Sequence, residues 1–279
     1  MLRLSGEPVE SQIPARRWRE IPYTRTGRLA AAFGRRRKVG DLGTGARWLR
    51  RLMVSPDLST FNRNPRGPVT EYFDEKAVAW DDNAARVERA AAVAHRIMER
   101  ISLTPEMDVL DFGSGTGLLG FNLLGRVASV TFADPSEGML AQVTAKLQAV
   151  DRGRGVVHRL DPAALALPGR YHAIVSLMAL HHVPDPAAAL GLLAEHLEPG
   201  GWLALSDLDT EDGSFHDDPT VAAHYGFDRA ELLALVERTG LERAEVGTVH
   251  TIRKTRGAAV CEYPLFLLTA RRPRRWAEP

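Results

Sequence analysis

The stretch Asp108-Val109-Leu110-Asp111-Phe112-Gly113-Ser114-Gly115-Thr116-Gly117 constrains the fold more than any other part of the chain. A short apolar run enters three glycines at alternate positions, and a helix-like run opens at Leu118. Glycines at a strand-to-helix turn permit positive φ and let a ligand approach the backbone without meeting a Cβ. Asp111 sets a carboxylate beside that bare turn. A cationic nucleoside suits such a place better than a bare phosphate does. Two other readings fit the same residues. Gly115-Thr116-Gly117-Leu118-Leu119-Gly120 matches the G-x-G-x-x-G dinucleotide pattern, with Asp134 as the downstream ribose acid. A glycine-rich turn also serves tight packing with no ligand at all.

The chain around this turn alternates strand and helix. Apolar residues recur at helical spacing from Asp82 to Ile101, an amphipathic helix closed by Thr104-Pro105. Strands are predicted over 108–112, 129–133, 156–160, 171–178 and 202–208. Helices are predicted over 136–150, 186–197 and 229–239, the second stopped by Pro199-Gly200-Gly201 and the third by Gly240. Tyr171–Met178 is a continuous apolar run, as expected of a parallel strand covered on both faces. Two longer strands, near 242–253 and 263–271, have no helix between them. The alternation predicts a Rossmann-like three-layer α/β sandwich. Its seven-stranded, mostly parallel sheet would end in an antiparallel hairpin.

These motifs together resemble the class I S-adenosylmethionine (SAM) dependent methyltransferases, in their small-molecule branch. The resemblance covers roughly residues 70–271 and rests first on the glycine turn. It rests next on Asp134-Pro135-Ser136-Glu137-Gly138-Met139-Leu140, which looks like the family's second motif. It implies SAM as cofactor, held by Asp111, Gly113, Ser114, Gly115, Gly117, Asp134, Pro135, Met139, Asp161 and Ser176. Asp134 can accept both ribose hydroxyls, or it can serve only as a carboxylate near a helix N-terminus. Met139 would pack its thioether on adenine. An acid at Asp161 would take the adenine amino group, or cap a short helix. Pro162 departs from the family there, because it has no N–H to offer a ring nitrogen.

The acceptor side is implied less sharply. Strand four runs into Leu180-His181-His182-Val183, which resembles many small-molecule methyltransferases, and either imidazole is a candidate general base or a packed ring. The Asn/Asp-Pro-Pro-Tyr sequence of enzymes acting on adenine, cytosine or glutamine is absent at this place. Tyr72-Phe73-Asp74, Trp80 and His224-Tyr225 look like a lid and acceptor-pocket elements of the same branch; as core anchors they would need no ligand. The expected reaction is methyl transfer to a small oxygen, nitrogen or carbon nucleophile. The alternatives are a SAM-binding regulator without turnover and an NAD-dependent oxidoreductase. No His/Asp/Glu cluster shows metal spacing, and His216, Asp217 and Asp218 are expected to be solvated in a polar loop.

Charge divides the chain. The net charge of +1 combines +10 over residues 1–68, from 15 Lys/Arg and 5 Asp/Glu, with −9 over the rest. An acidic second part argues against a large nucleic-acid substrate. The first 68 residues carry Arg35-Arg36-Arg37-Lys38 and little apolar periodicity. They are expected to be a disordered or loosely helical extension, dispensable for the fold, or a basic arm for RNA or a membrane surface. A further expectation is that they lie outside the mature protein with Val69 as a misread start, while Glu7, Glu10 and Glu20 weigh against a transit peptide. Gly40–Gly45 imitates the glycine turn but follows a basic run, not a strand. The domain proper is expected over 69–279. The single cysteine, Cys261, excludes an internal disulfide and a Cys-based zinc cluster. The Arg and Ala bias suggests a GC-rich bacterial genome and a cytoplasmic protein.

Overall fold

The computed structural model describes residues 67–150, 153–162, 164 and 166–274. The expectations about the basic segment and the Gly40–Gly45 mimic lie outside these residues. Six helices are described: α1 (Gly67–Lys76), α2 (Ala84–Arg100), α3 (Leu118–Leu124), α4 (Glu137–Val150), α5 (Pro186–Glu195) and α6 (Arg229–Arg238). The strands are β1 (Asp108–Phe112), β2 (Ser129–Asp134), β3 (Gly155–Arg159), β4 (Tyr171–Leu177), β5 (Leu197–Leu208), β6 (Glu242–Arg256) and β7 (Ala259–Arg271).

The strands form one seven-stranded sheet in the order β3-β2-β1-β4-β5-β7-β6. The first five run parallel, and β7 lies antiparallel to both β5 and β6. Helices cover both faces. The period-two alternation of β1 sends Val109 to one face and Leu110 and Phe112 to the other. Val109 packs with Val93 and Ile97 of α2, Leu119 and Leu123 of α3 and Val143 of α4. Leu110 packs with Leu190 and Leu193 of α5 and Leu232 and Val236 of α6. Burial on both faces explains the apolar stretches Val109-Leu110 of β1 and Ala173-Ile174-Val175 of β4.

The expected elements are present, with differences at their ends. Asn83 caps α2 through its side-chain oxygen, and α2 ends at Arg100, before Thr104-Pro105. Ile101 is extended there and only 1% exposed, so core burial ends the helix. Ser136 caps α4, accepting from the Met139 N–H at 3.0 Å. The predicted helix 186–197 stops earlier, at Glu195. Pro199-Gly200-Gly201 belongs to β5 instead, because Leu197 pairs with Tyr171 and Gly200 donates to the Arg272 carbonyl at 3.0 Å. The closing hairpin is longer than predicted, running to Arg256 and resuming at Ala259 around Gly257.

Strand order reverses between β1 and β4, the place where doubly wound sheets open a crevice at the carboxyl ends of their strands. The carboxyl ends of β1, β2, β4 and β5 therefore define the site.

Candidate functional site

The glycine turn is pinned to β2. The N–H groups of Gly113 and Ser114 both donate to the Ala133 carbonyl, at 2.8 and 3.0 Å. Gly113 has φ +66, and a Cβ on it would stand 2.3 Å from the Ala179 Cβ. Glycine is required there because the turn after β1 touches the turn after β4. Gly115 and Gly117 also take positive φ. Among the described residues, the atom nearest a notional Cβ on Gly115 is the Met139 sulfur, at 4.0 Å, so Met139 and the bare turn face one opening. The Ser114 hydroxyl is buried and has no hydrogen-bond partner among the described residues.

Two carboxylates flank this opening. Asp134 accepts from the Gly115 N–H at 2.7 Å through Oδ2 and from the Ser136 N–H at 2.9 Å through Oδ1. A carboxylate has about four lone-pair sites, so two remain for a ligand. Asp111 accepts from the Gly120 N–H at 2.9 Å. Burial raises Asp134 to about 6 and Asp111 to about 7, against the backbone donors that favour their ionised forms. A cation or a hydroxyl-rich ligand would relieve that cost. The orphan hydroxyl, the bare turn and the two desolvated acids fit a cationic nucleoside.

Two predicted residues stand differently. Ser176 is buried in β4 and donates its hydroxyl to the Phe112 carbonyl at 2.7 Å, tying the ends of β1 and β4 together. Asp161 lies just beyond β3, exposed, with its carbonyl accepting from the Ala164 N–H at 3.1 Å. Pro135 sits between the two residues that shape the Asp134 corner.

The segment before the core closes over this corner. Asp74 of α1 accepts from the Ser136 hydroxyl at 2.6 Å and from the Gly138 N–H at 2.8 Å. A Cβ on Gly138 would stand 2.9 Å from the Asp74 backbone, so glycine permits this close approach. Asp81 accepts from the Thr116 hydroxyl at 2.5 Å and pairs with Lys146, which also donates to the Thr116 carbonyl at 2.8 Å. The aromatics of this segment form a chain: Tyr72 meets Phe73 at 5.3 Å, and Phe73 meets Trp80 at 5.6 Å and His182 at 5.0 Å. Arg86 covers the Trp80 ring at 3.8 Å.

Both predicted histidines lie in the turn after β4. Met178 opens that turn at φ +57, a left-handed conformation rare outside glycine, and it is held by its N–H to the Ser206 carbonyl at 2.8 Å. His181 is fully buried, and its Nδ1 donates to Asp207 Oδ1 at 2.6 Å. Its Nε2 lies 3.0 Å from Nε2 of His216. Burial would raise Asp207, but His181 outweighs it together with the Leu208 N–H, and the carboxyl is held below its ordinary value. His182 donates Nδ1 to the Val221 carbonyl at 2.6 Å. Burial, then the neighbouring His181, lowers His182 to about 3; the same two causes lower His216 to about 4.

The segment between β5 and α6 folds over this turn. The N–H groups of Ala223 and His224 both donate to the His181 carbonyl at 3.0 Å, and the His224 ring contacts the Val183 carbonyl at 3.0 Å. Tyr225 is half exposed on its outside. Asp217 and Asp218 are exposed, as expected of a polar loop. His216 is not; its ring turns inward onto His181, drawn by the nitrogen contact and by Phe215 beneath it at 4.9 Å. The sequence does not single out Asp207, and it leads to the expectation of a solvated His216, which the contact with His181 overturns. An acid at the carboxyl end of an apolar β5 run is the signal that points to Asp207; nothing local points to His216.

Comparison with known proteins identifies the family. The family described as methyltransferase domain matches residues 82–246, more than half of the chain. The chain belongs to this family, which sets the dinucleotide alternative aside. The ubiquinone biosynthesis O-methyltransferase of Thiobacillus denitrificans is 36% identical over 110 residues, covering 38% of this chain and 47% of that protein. The chain spans about half the length of the curated relatives it matches. Among solved structures, a DhpI–SAH complex aligns with TM-score 0.58 and 21% identity, over 76% of this chain and 98% of that one. Magnesium protoporphyrin IX methyltransferase from Synechocystis with bound SAM aligns with TM-score 0.54 and 20% identity, over 77% of this chain and 100% of that one. No helix among the described residues is long and apolar enough to cross a membrane.

Proposed function

We propose that this member of the methyltransferase domain family transfers a methyl group from SAM to a small-molecule nucleophile, with a hydroxyl oxygen as the preferred acceptor. The observation that carries the reading is the contact of two turns. The glycine turn after β1 and the histidine turn after β4 meet at Gly113 and Ala179, so a cofactor side and a proton-handling side share one crevice. The O-methyltransferase relatives support oxygen as the acceptor atom.

SAM supplies a methyl group already activated on a sulfonium sulfur. Asp134 and the turn 113–117 would hold it, with Met139 and the lid of Tyr72, Phe73 and Trp80 covering it. Aromatic faces near a sulfonium stabilise its charge. The protein's remaining work is alignment, exclusion of water and removal of the acceptor's proton.

His181 suits that last task better than His182. Asp207 fixes Nδ1–H of His181, so in the neutral ring Nε2 carries the lone pair. His181 is buried, and the half-buried His216 connects its Nε2 to the crevice. A proton taken at Nδ1 of His216 is matched by transfer of its Nε2 proton to His181, where Asp207 stabilises the imidazolium. His182, lowered to about 3, is a weak base that stays neutral at neutral pH, and its place against Phe73 assigns it to packing of the acceptor pocket.

The test is incubation of cell extract with the protein and methyl-labelled SAM, followed by mass spectrometry of the small-molecule fraction. A labelled O-methyl product that disappears with Asp134→Asn is expected. Binding of SAM by calorimetry without transfer to any component of the extract would favour a regulator that does not turn over.

A further inference from the structure

Residues 181, 182 and 216 carry no metal spacing in sequence, yet their three rings converge. Each offers one ring nitrogen, and the three nitrogens lie within 4.8 Å of one another. The ring centroids stand 3.9 Å apart for His181–His182, 5.1 Å for His181–His216 and 5.3 Å for His182–His216.

The hydrogen bonds around the rings matter more than their proximity. His181 gives Nδ1–H to the Asp207 carboxylate and His182 gives Nδ1–H to the Val221 carbonyl, each at 2.6 Å. Metal-ligating histidines are held in this way, with one N–H on a carboxylate or carbonyl, so that the tautomer is fixed and the other nitrogen aims at the ion. His216 turns Nε2 toward Nε2 of His181 at 3.0 Å. Zn–N bonds of about 2.0–2.1 Å place two ligand nitrogens of a tetrahedral site about 3.3 Å apart. The His181–His216 pair already stands near that separation.

We propose that His181, His182 and His216 form a binding site for a divalent transition-metal ion of the zinc class, with a fourth position open. Imidazole nitrogens suit zinc, and three protein ligands with one vacant position are the pattern of reactive sites, not of closed structural ones. Closing the widest nitrogen pair requires a movement of about 1.5 Å at most. His216 lies on the irregular segment between β5 and α6, the least regular of the three supports. The dication outweighs the single buried carboxylate of Asp207, so the open position suits an anionic oxygen ligand. Ion binding is a property of these rings and does not rest on methyl transfer; only its role in acceptor activation does.

The test uses the untagged full chain, stripped with a chelator, desalted, and titrated with Zn²⁺ alone and separately with Co²⁺ alone. One ion per chain by elemental mass spectrometry is expected, with the visible bands of four-coordinate Co²⁺. His216→Ala and His182→Ala should each lose those bands and weaken binding by about 100-fold or more. Asp207→Asn should weaken it by about 10–100-fold through the ring it positions. His95→Ala, on the exposed face of α2, should keep both signals. Circular dichroism and melting confirm that each variant is folded. An absence of stoichiometric binding in the unaltered chain overturns the proposal. Binding and Co²⁺ bands that survive both His216→Ala and His182→Ala also overturn it. SAM binding and transfer are measured alongside. A chain that transfers methyl groups yet binds no ion rejects the metal site alone, and one that binds the ion yet transfers nothing rejects the transfer reading alone.

Discussion

Asp134 answers to two demands. Its oxygens hold the Gly115 and Ser136 amides, which shape the turn, and under the proposed function their remaining lone pairs would take the ribose hydroxyls. Asp134→Ala would remove both roles at once, so Asp134→Asn is the informative change. It keeps one acceptor and removes the charge. Affinity for SAM or its demethylated product should fall by about 1.5–3 kcal/mol, the range for hydrogen bonds to charged groups. Unchanged affinity by calorimetry would reject the ribose assignment. The pH dependence follows from the same residues. Burial holds Asp134 at about 6 and Asp111 at about 7, above the 3.8 of a free carboxyl. Raising pH through that window strips protons that the folded chain holds and the unfolded chain has already lost. The ligand-free fold should therefore lose stability from about pH 4 to about pH 7. Affinity for the cationic cofactor should rise over the same range as the acids ionise. Melting and binding curves that both stay flat from about pH 5 to about pH 8 would contradict the assigned burial of these acids.

At the scale of elements, the site is a contact between turns. Gly113→Ala would force a Cβ to within 2.3 Å of Ala179, at a positive φ. It should destabilise the chain by several kcal/mol, on the order of other core clashes combined with backbone strain. A drop of many degrees in Tm, with loss of SAM binding, is the expected result. Asp74→Ala should be milder, about 1–3 kcal/mol, because it leaves the Ser136 hydroxyl and Gly138 amide without their acceptor. This contrast also explains what the sequence reveals. The turn after β1 is legible because its strand, glycines and helix are adjacent in the chain and each obeys a local rule. The capping of α4 by Ser136 is legible for the same reason. Asp207 is hidden because only the β4–β5 register, Leu177 opposite Ser206, sets it beside His181. His216 is hidden further, since its position depends on a segment with no regular structure. The early stop of α5 was missed because pairing of Leu197 with Tyr171 draws a Pro-Gly-Gly sequence into the sheet.

For the whole molecule, the strand order divides the labour. On one side of the switch between β1 and β4, β1 and β2 carry the acids and the glycine turn. On the other, β4 and β5 carry His181 and Asp207, and the segment 209–228 covers them. A change on the second side should leave the first intact, and His181→Gln tests this. Glutamine retains an N–H near Asp207, so the buried carboxylate keeps a donor and the fold should survive. SAM affinity should stay within a few-fold, since Asp134 and the turn 113–117 are untouched. Turnover should fall by about 10²-fold or more at neutral pH, the contribution of a positioned proton acceptor, and the loss should shrink at high pH where a hydroxyl acceptor is already ionised. His182→Gln separates two ways of achieving this. A proton relay through His216 and His181 predicts a much smaller loss for His182, which lies outside the relay and gives its Nδ1–H to the Val221 carbonyl. An ion shared by three rings predicts comparable losses for His181→Gln and His182→Gln, both deepened by chelation. If neither variant loses more than a few-fold at any pH, alignment of acceptor and methyl group carries the reaction and the imidazole cluster does not take part.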